Sequence, residues 1–161
     1  MPSPKVSIII INYNGKKLLE KCLESLFKVD YEHFEVILVD NNSVDDSINF
    51  VETNHPNVQI IKLDKNYGFA EPNNIAAKQA KGDLLFFLNN DTSICKNSIS
   101  ELVKNIQGSD YSICQSLLLN LDGGVDSSGD FMITNGISYN SKEKYNYSLS
   151  ISSKRYIPLN N

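Results

Sequence analysis

Along the first two thirds of the chain, apolar positions alternate between a strand-like and a helix-like period. Val6 to Ile11 is a short β-branched run, after which Leu18, Leu19, Cys22, Leu23, Leu26 and Phe27 recur at helical spacing, so a strand followed by a helix is predicted. Phe34 to Val39 repeats the strand signal. Ser43 with Asp46 three residues later forms a capping-box pattern, and Val44, Ile48 and Val51 make the stripe of a second helix. Val58 to Leu63 is a third strand, and Pro72 to Ala80 a third helix that Gly82 is placed to end. Leu84 to Leu88 is apolar at every position, as expected of a central strand with helices over both faces of a mainly parallel sheet. A fourth helix follows from Ser98 and Glu101 as a capping box, with Ile99, Leu102, Val103 and Ile106 on one face and Gly108 closing it.

Beyond Tyr111 the pattern changes. Ser112 to Leu119 reads as a strand and Asp122-Gly123-Gly124 as a turn, and after Thr134 helical periodicity stops. Residues 135–161, rich in Ser, Asn, Lys and Tyr, are expected to be irregular, edge-stranded or partly ordered, so the domain division is a core at 1–134 and a different region at 135–161. Four strand-helix units in this order predict a doubly wound, three-layer α/β/α domain with its ligand site at the carboxyl ends of the strands.

Three polar clusters occupy those ends: Asn12-Tyr13-Asn14-Gly15, Asp40-Asn41-Asn42-Ser43 and Asn89-Asn90-Asp91-Thr92. Each alone is also what a turn or helix cap requires, and their convergence on one crevice is the informative feature. Asp40 suits acceptance of a hydrogen bond from a pyrimidine imide, with Asn12 and Tyr13 offering a donor and an aromatic face. Asp91 is the candidate ligand for Mg²⁺ or Mn²⁺, hard cations that take one or two carboxylates and fill their shell with phosphate and water oxygens. Such a cation would neutralise charge on a leaving diphosphate. Asp83, at the other end of the strand from Asp91, is read as structural, and Asp45 and Asp46 as first-turn helix charges.

Composition narrows the partners. With 161 residues, 41% hydrophobic and 21% charged, the chain has the make-up of one globular domain. A net charge of −4 offers no broad cationic surface, so nucleic acid is not an expected partner. No apolar run approaches the roughly 20 residues of a membrane-spanning helix, and no secretory signal precedes the first strand, which makes a cytoplasmic location the expectation. Cys22, Cys95 and Cys114 lack metal-site spacing and are read as reduced thiols, and His33 and His55 as surface residues. A phosphoacceptor domain would need an acidic pair where Asn12-Tyr13-Asn14 stands, and a dinucleotide-binding dehydrogenase a Gly-x-Gly-x-x-Gly after the first strand.

From Val6 to Gly129 the chain resembles glycosyltransferase family 2, of GT-A fold, and within it the rhamnosyltransferase-like members. Four ordered motifs carry the resemblance: Val6 to Gly15, Val36 to Ser43, Asn66-Tyr67-Gly68-Phe69-Ala70 with Asn73-Asn74, and Gly82 to Thr92. It implies inverting transfer of a sugar, with rhamnose the leading candidate, from a dTDP- or UDP-linked donor to a saccharide or lipid-linked acceptor. A lipid-linked acceptor would add peripheral contact with the inner face of a membrane. Asp40 matches the base-binding aspartate; Asn12, Tyr13, Asn14 and Asn42 match positions near the nucleoside; Asn66, Gly68, Phe69 and Asn73 match the lining of the donor pocket. Asp91 matches the last residue of the metal-binding Asp-X-Asp motif, with Asn89 in place of the first Asp and Asn90 between them. The family's catalytic base lies beyond the metal motif in an acidic segment that this sequence does not display, and Glu143 lacks its surroundings. No catalytic base is assigned, and the chain is expected to be truncated on its acceptor side. The competing expectation is a nucleotide-binding fragment or regulatory homologue without turnover.

Overall fold

A computed structural model describes residues 3–107, 113–120 and 122–127, and the backbone of 130–132 and 138–140. By internal contacts the chain divides into two units, Met1–Ser100 and Glu101–Asn161.

In the first unit β1 (Val6–Asn12), α1 (Lys16–Leu26), β2 (Phe34–Asp40), α2 (Ser47–Asn54), β3 (Gln59–Lys62), α3 (Ala70–Gln79) and β4 (Leu84–Asn89) follow one another as the periodicity predicts, and α4 (Ser98–Gln107) begins at its end. The four strands form one parallel sheet in the order β3-β2-β1-β4. This is the GT-A, Rossmann-like α/β arrangement expected above. From β1 to β3 the chain advances in one direction, and α3 then returns it to the other side of β1. The switch of direction therefore lies between β1 and β4, and at their carboxyl ends it leaves a crevice.

Alternation along the strands divides the core. Ile9, Ile37 and Val39 point to the face covered by α3, where they pack with buried Ala76 and with Ile11, Ile61 and Leu63 around them. The alternate set, Ile8, Ile10, Val36 and Leu38, is equally buried. Right-handed crossovers place α1 and α2 on that side, and these helices bury Leu19, Cys22, Leu23, Leu26 and Val51. At roughly 1.5–3 kcal/mol for each large aliphatic side chain removed from water, these two layers outweigh any single polar contact in the unit.

Four local expectations are corrected. β4 is not central among the described residues: it pairs only with β1, and Leu85 and Phe87 are exposed. α2 starts at Ser47 rather than after Ser43, and Val44 is exposed at 89%, because Ser43 Oγ is engaged by Asn12 and Asn14 and is not a helix cap. Gly82 does not close α3, which is capped at Ala80. A Cβ at Gly82 would come within 2.6 Å of the Ser7 nitrogen, so that position admits glycine for the approach of β1. The strand expected over Ser112 to Leu119 shortens to β5 (Leu118–Leu119).

In the second unit β5 pairs antiparallel with β6 (Val125–Ser127) through the predicted Asp122-Gly123-Gly124 turn. Gly123 there has φ +83°, and Asn120 N donates to Gly124 O at 2.8 Å. The backbone of β7 (Asp130–Met132) pairs antiparallel with that of β8 (Ser138–Asn140). The expected boundary at 134/135, Gly108, Glu143 and most of 135–161 lie outside the described residues.

Candidate donor cleft

An open cleft of about 480 Å³ lies at the switch of direction, lined by Ile11, Tyr13, Asn41, Asn66, Gly68, Phe69, Asn89, Asn90 and Asp91. Of the residues singled out from the sequence, Tyr13, Asn66, Gly68, Phe69, Asn89, Asn90 and Asp91 meet there. Tyr13 and Phe69 keep about half or more of their surface exposed, at 51% and 61%, and so offer two aromatic surfaces to a ligand.

Asn12, Asn14, Asp40, Asn42 and Asn73 do not line the cleft, and the geometry shows what each does instead. Asn12 is fully buried; its Nδ2 donates to Ser47 Oγ at 2.9 Å and Ser43 Oγ at 3.2 Å, and its Oδ1 accepts from Asn90 Nδ2 at 3.0 Å. It thus ties the loop after β2 to the cleft residue after β4. Gly15 is buried against this tie, where a Cβ would meet Asn90 Nδ2 at 2.6 Å and Asn12 Oδ1 at 2.8 Å. Asn14 and Asn42 take the left-handed conformation at φ 50° and 67°, which Asn tolerates better than most residues, and Asn14 Oδ1 accepts from Val44 N at 2.8 Å. Asn73 Nδ2 donates to Phe69 O at 2.8 Å within the first turn of α3.

Asp40 differs from these. It is 5% exposed; its Oδ2 accepts from Ser43 N at 3.1 Å, while its Oδ1 is buried without a hydrogen-bond partner. A buried carboxylate oxygen left unpaired is costly, and such an orphan in a native fold calls for a ligand, a water or an ion.

Asn41, in the sequence one member of a polar cluster, lines the cleft. The ladder extends one residue beyond β2, with Asn41 N donating to Asn12 O at 2.8 Å. Strand alternation then puts Asn41 on the face of Ile37 and Val39, the face from which Ile11 also lines the cleft. That alternation was the available signal for both Asn41 and Ile11.

The residues around Asp91 fit a divalent cation in part. Asp91 is exposed in the cleft beside polar Asn89 and Asn90, and its only described hydrogen bond is from Thr92 Oγ1 at 3.5 Å, so its carboxylate is open to a ligand. Among the described residues no group of three or more His, Cys, Asp or Glu is gathered, so diphosphate oxygens and water would have to complete the shell. Cys22 lies beneath this corner, its Sγ 3.6 Å from Asn89 O. Burial first, and then the charge of Asp91, push its thiol up to about 12.

Sheet order, parallel register and a cleft at the switch point define a Rossmann-like α/β fold. Residues 7–154 match Glycosyl transferase family 2, and the chain belongs to that family. It is 37% identical over 131 residues to the O-antigen biosynthesis protein RfbC of Myxococcus xanthus, covering 79% of this chain and 10% of that protein. It is 35% identical over 102 residues to the poly(ribitol-phosphate) beta-N-acetylglucosaminyltransferase TarS of Staphylococcus aureus, covering 60% of this chain and 18% of that one. The crystal structure of TarS 1-349 with UDP-GlcNAc matches with a TM-score of 0.61 and 30% identity, over 70% of this chain and 38% of that chain. The mannosyltransferase PcManGT of Pyrobaculum calidifontis, in complex with GDP-Man and Mn²⁺, matches with a TM-score of 0.58 and 25% identity, over 63% of this chain and 32% of that chain. The chain therefore spans only a fraction of the length of each of these relatives. Among the described residues no helix is long and apolar enough to cross a membrane.

Proposed function

We propose that the chain forms the donor-binding part, residues 1–134, of a glycosyltransferase that moves a sugar from a nucleoside diphosphate to a saccharide or lipid-linked acceptor with inversion, and that 135–161 begin its acceptor side. The observation that carries this reading is the convergence of Tyr13, Phe69, Asn89, Asn90 and Asp91 on one cleft at the switch between β1 and β4. Asp40, the match to the family's base-binding aspartate, lies off the cleft lining, and its buried, unpaired Oδ1 is the acceptor to test against a base imide. Asp91 is the carboxylate that would hold Mn²⁺ or Mg²⁺ against the diphosphate. The cation would supply charge neutralisation for the departing nucleoside diphosphate. The bound nucleotides of TarS and PcManGT support this class of donor, and the Mn²⁺ of PcManGT supports a cation. Rhamnose from a dTDP carrier is the first donor sugar to test, in keeping with the likeness to an O-antigen biosynthesis protein.

Calorimetric titration with UDP and dTDP, with and without Mn²⁺, tests the reading. Binding should be strengthened by Mn²⁺, and Asp91→Ala should remove that gain, weakening affinity at least about tenfold, a loss typical even of outer partners of a bound metal. Asp40→Ala should weaken both nucleotides whether or not Mn²⁺ is present. A folded chain that binds neither nucleotide would overturn the proposal.

A further inference from the structure

Within the donor-site reading, on which this inference rests, we propose that Asn41 is a positioning residue: it sets the place of the Asn66–Phe69 wall of the cleft and through it the affinity for the nucleoside diphosphate. Asn41 is 2% exposed yet reaches the cleft lining. Its amide is used completely. Nδ2 donates to Asn66 Oδ1 at 2.9 Å and to Gly68 O at 2.7 Å, and Oδ1 accepts from Tyr67 N at 2.9 Å. Three consecutive residues of the loop between β3 and α3 are thus held by one side chain rooted at the end of β2.

The loop's other described contacts are local to it and to the start of α3: Tyr67 Oη donates to Asp64 Oδ1 at 2.9 Å, Lys65 Nζ lies 4.8 Å from the centre of the Tyr67 ring, and Asn73 Nδ2 donates to Phe69 O. Asn66, Tyr67, Gly68 and Phe69 are all exposed. Gly68 takes φ +75°, and a Cβ there would meet nothing within 4 Å, so its conformation is not imposed by packing. Asn66 Oδ1 also accepts from Gly68 N at 2.8 Å, closing a small turn whose shared acceptor is the atom that Asn41 grips. Phe69, which precedes α3, follows directly, so its backbone enters α3 from this turn. A buried amide whose donors and acceptor are all matched is a rigid anchor, and replacing a donor with an acceptor at such a place leaves two carbonyl-type oxygens facing a third.

The variant to make is Asn41→Asp, which keeps the volume and the acceptor for Tyr67 N but removes both donors. Its affinity for UDP or dTDP, whichever the parent chain binds more tightly, is measured by calorimetry, with amide exchange followed at Tyr67 and Gly68 and in β1 and β2. Affinity should fall about tenfold, equivalent to about 1.4 kcal/mol. Exchange should quicken at Tyr67 and Gly68 while the strands stay protected. Asn66→Ala, a change on the exposed loop that leaves the core intact, should reproduce much of the loss. The double variant should lose clearly less than the two losses combined, because both act through one contact. Parent-like affinity in a variant with a loosened loop would overturn the proposal, as would additive losses or a fall in protection spread over the whole sheet. If Asn41→Asp does not fold, Asn66→Ala read by the same affinity and exchange decides. A parent chain that binds neither nucleotide sinks the donor-site reading instead, and exchange at Tyr67 and Gly68 still shows whether Asn41 holds the loop.

Discussion

Cys22 and Cys95 show how position governs a side chain's chemistry. Cys22 is fully buried on α1, with its thiol pushed up to about 12 by burial and by the neighbouring charge of Asp91, whereas Cys95 is exposed. The thiolate is the reactive form, so a maleimide at pH 7.5 should label Cys95 rapidly and leave Cys22 unmodified in the folded chain, as peptide mass mapping would read. Labelling of both at similar rates would mean that the floor beneath Asp91 opens in solution. At this scale the sequence was legible as to which clusters meet but not as to which side chains face the ligand. Asn12 and Asn41 are the same residue type in the same kind of place, yet one ties two loops together inside the fold while the other reaches the cleft. One step along a strand reverses the face, and only the position of α3 shows which face holds the cleft.

At the scale of elements, the entering ends of β1, β2 and β4 are fastened by one carboxylate. Glu35 accepts from Lys5 Nζ, from Ser7 Oγ at 2.6 Å and from Lys81 N at 2.7 Å, while Ser7 Oγ accepts from Gly82 N at 2.8 Å and Asp83 accepts from Lys5 N at 2.8 Å. Burial alone would raise the Glu35 carboxyl. The Lys5 ammonium, the Ser7 hydroxyl and the Lys81 amide outweigh it and hold the group at about 2, below its ordinary 4.5. Because the folded value lies below the unfolded one, the contribution to stability is complete above about pH 4.5 and is lost as pH falls toward 2. Glu35→Gln should cost roughly 1–3 kcal/mol at neutral pH, the worth of hydrogen bonds to a charged group. It should also flatten the acid limb of a plot of Tm against pH; an unchanged acid limb would show that Glu35 is not the group concerned. This fastening was not legible, because Glu35 sits in an apolar run as a lone charge and its partners come from two distant segments, at Lys5 and Ser7 and at Lys81. The late start of α2 has the same origin: Ser43 satisfied the local pattern of a cap, but a tertiary bond to Asn12 took its hydroxyl.

For the molecule as a whole, the alternation of four strands with helices along the first unit was legible in the sequence, whereas the order of those strands in the sheet and the place of β4 were not. A run apolar at every position, Leu84 to Leu88, predicts cover on both faces, yet Leu85 and Phe87 are 44% and 51% exposed on the same face as buried Ile9, the partner of Phe87 on β1. A continuous apolar run reports what its faces are suited to pack against, and periodicity carries no information about how many strands lie beyond it. The exposure itself is testable on this chain by urea unfolding. Ile9→Ala, at a fully packed position, should cost about 2–5 kcal/mol. Phe87→Thr, which keeps strand propensity and gives up a half-exposed ring, should cost about 1 kcal/mol. Since both residues point to the face of α3 on adjacent strands, their difference isolates cover from strand position. Equal losses would mean that the Phe87 face is buried in solution and that β4 occupies the interior place its composition suggests.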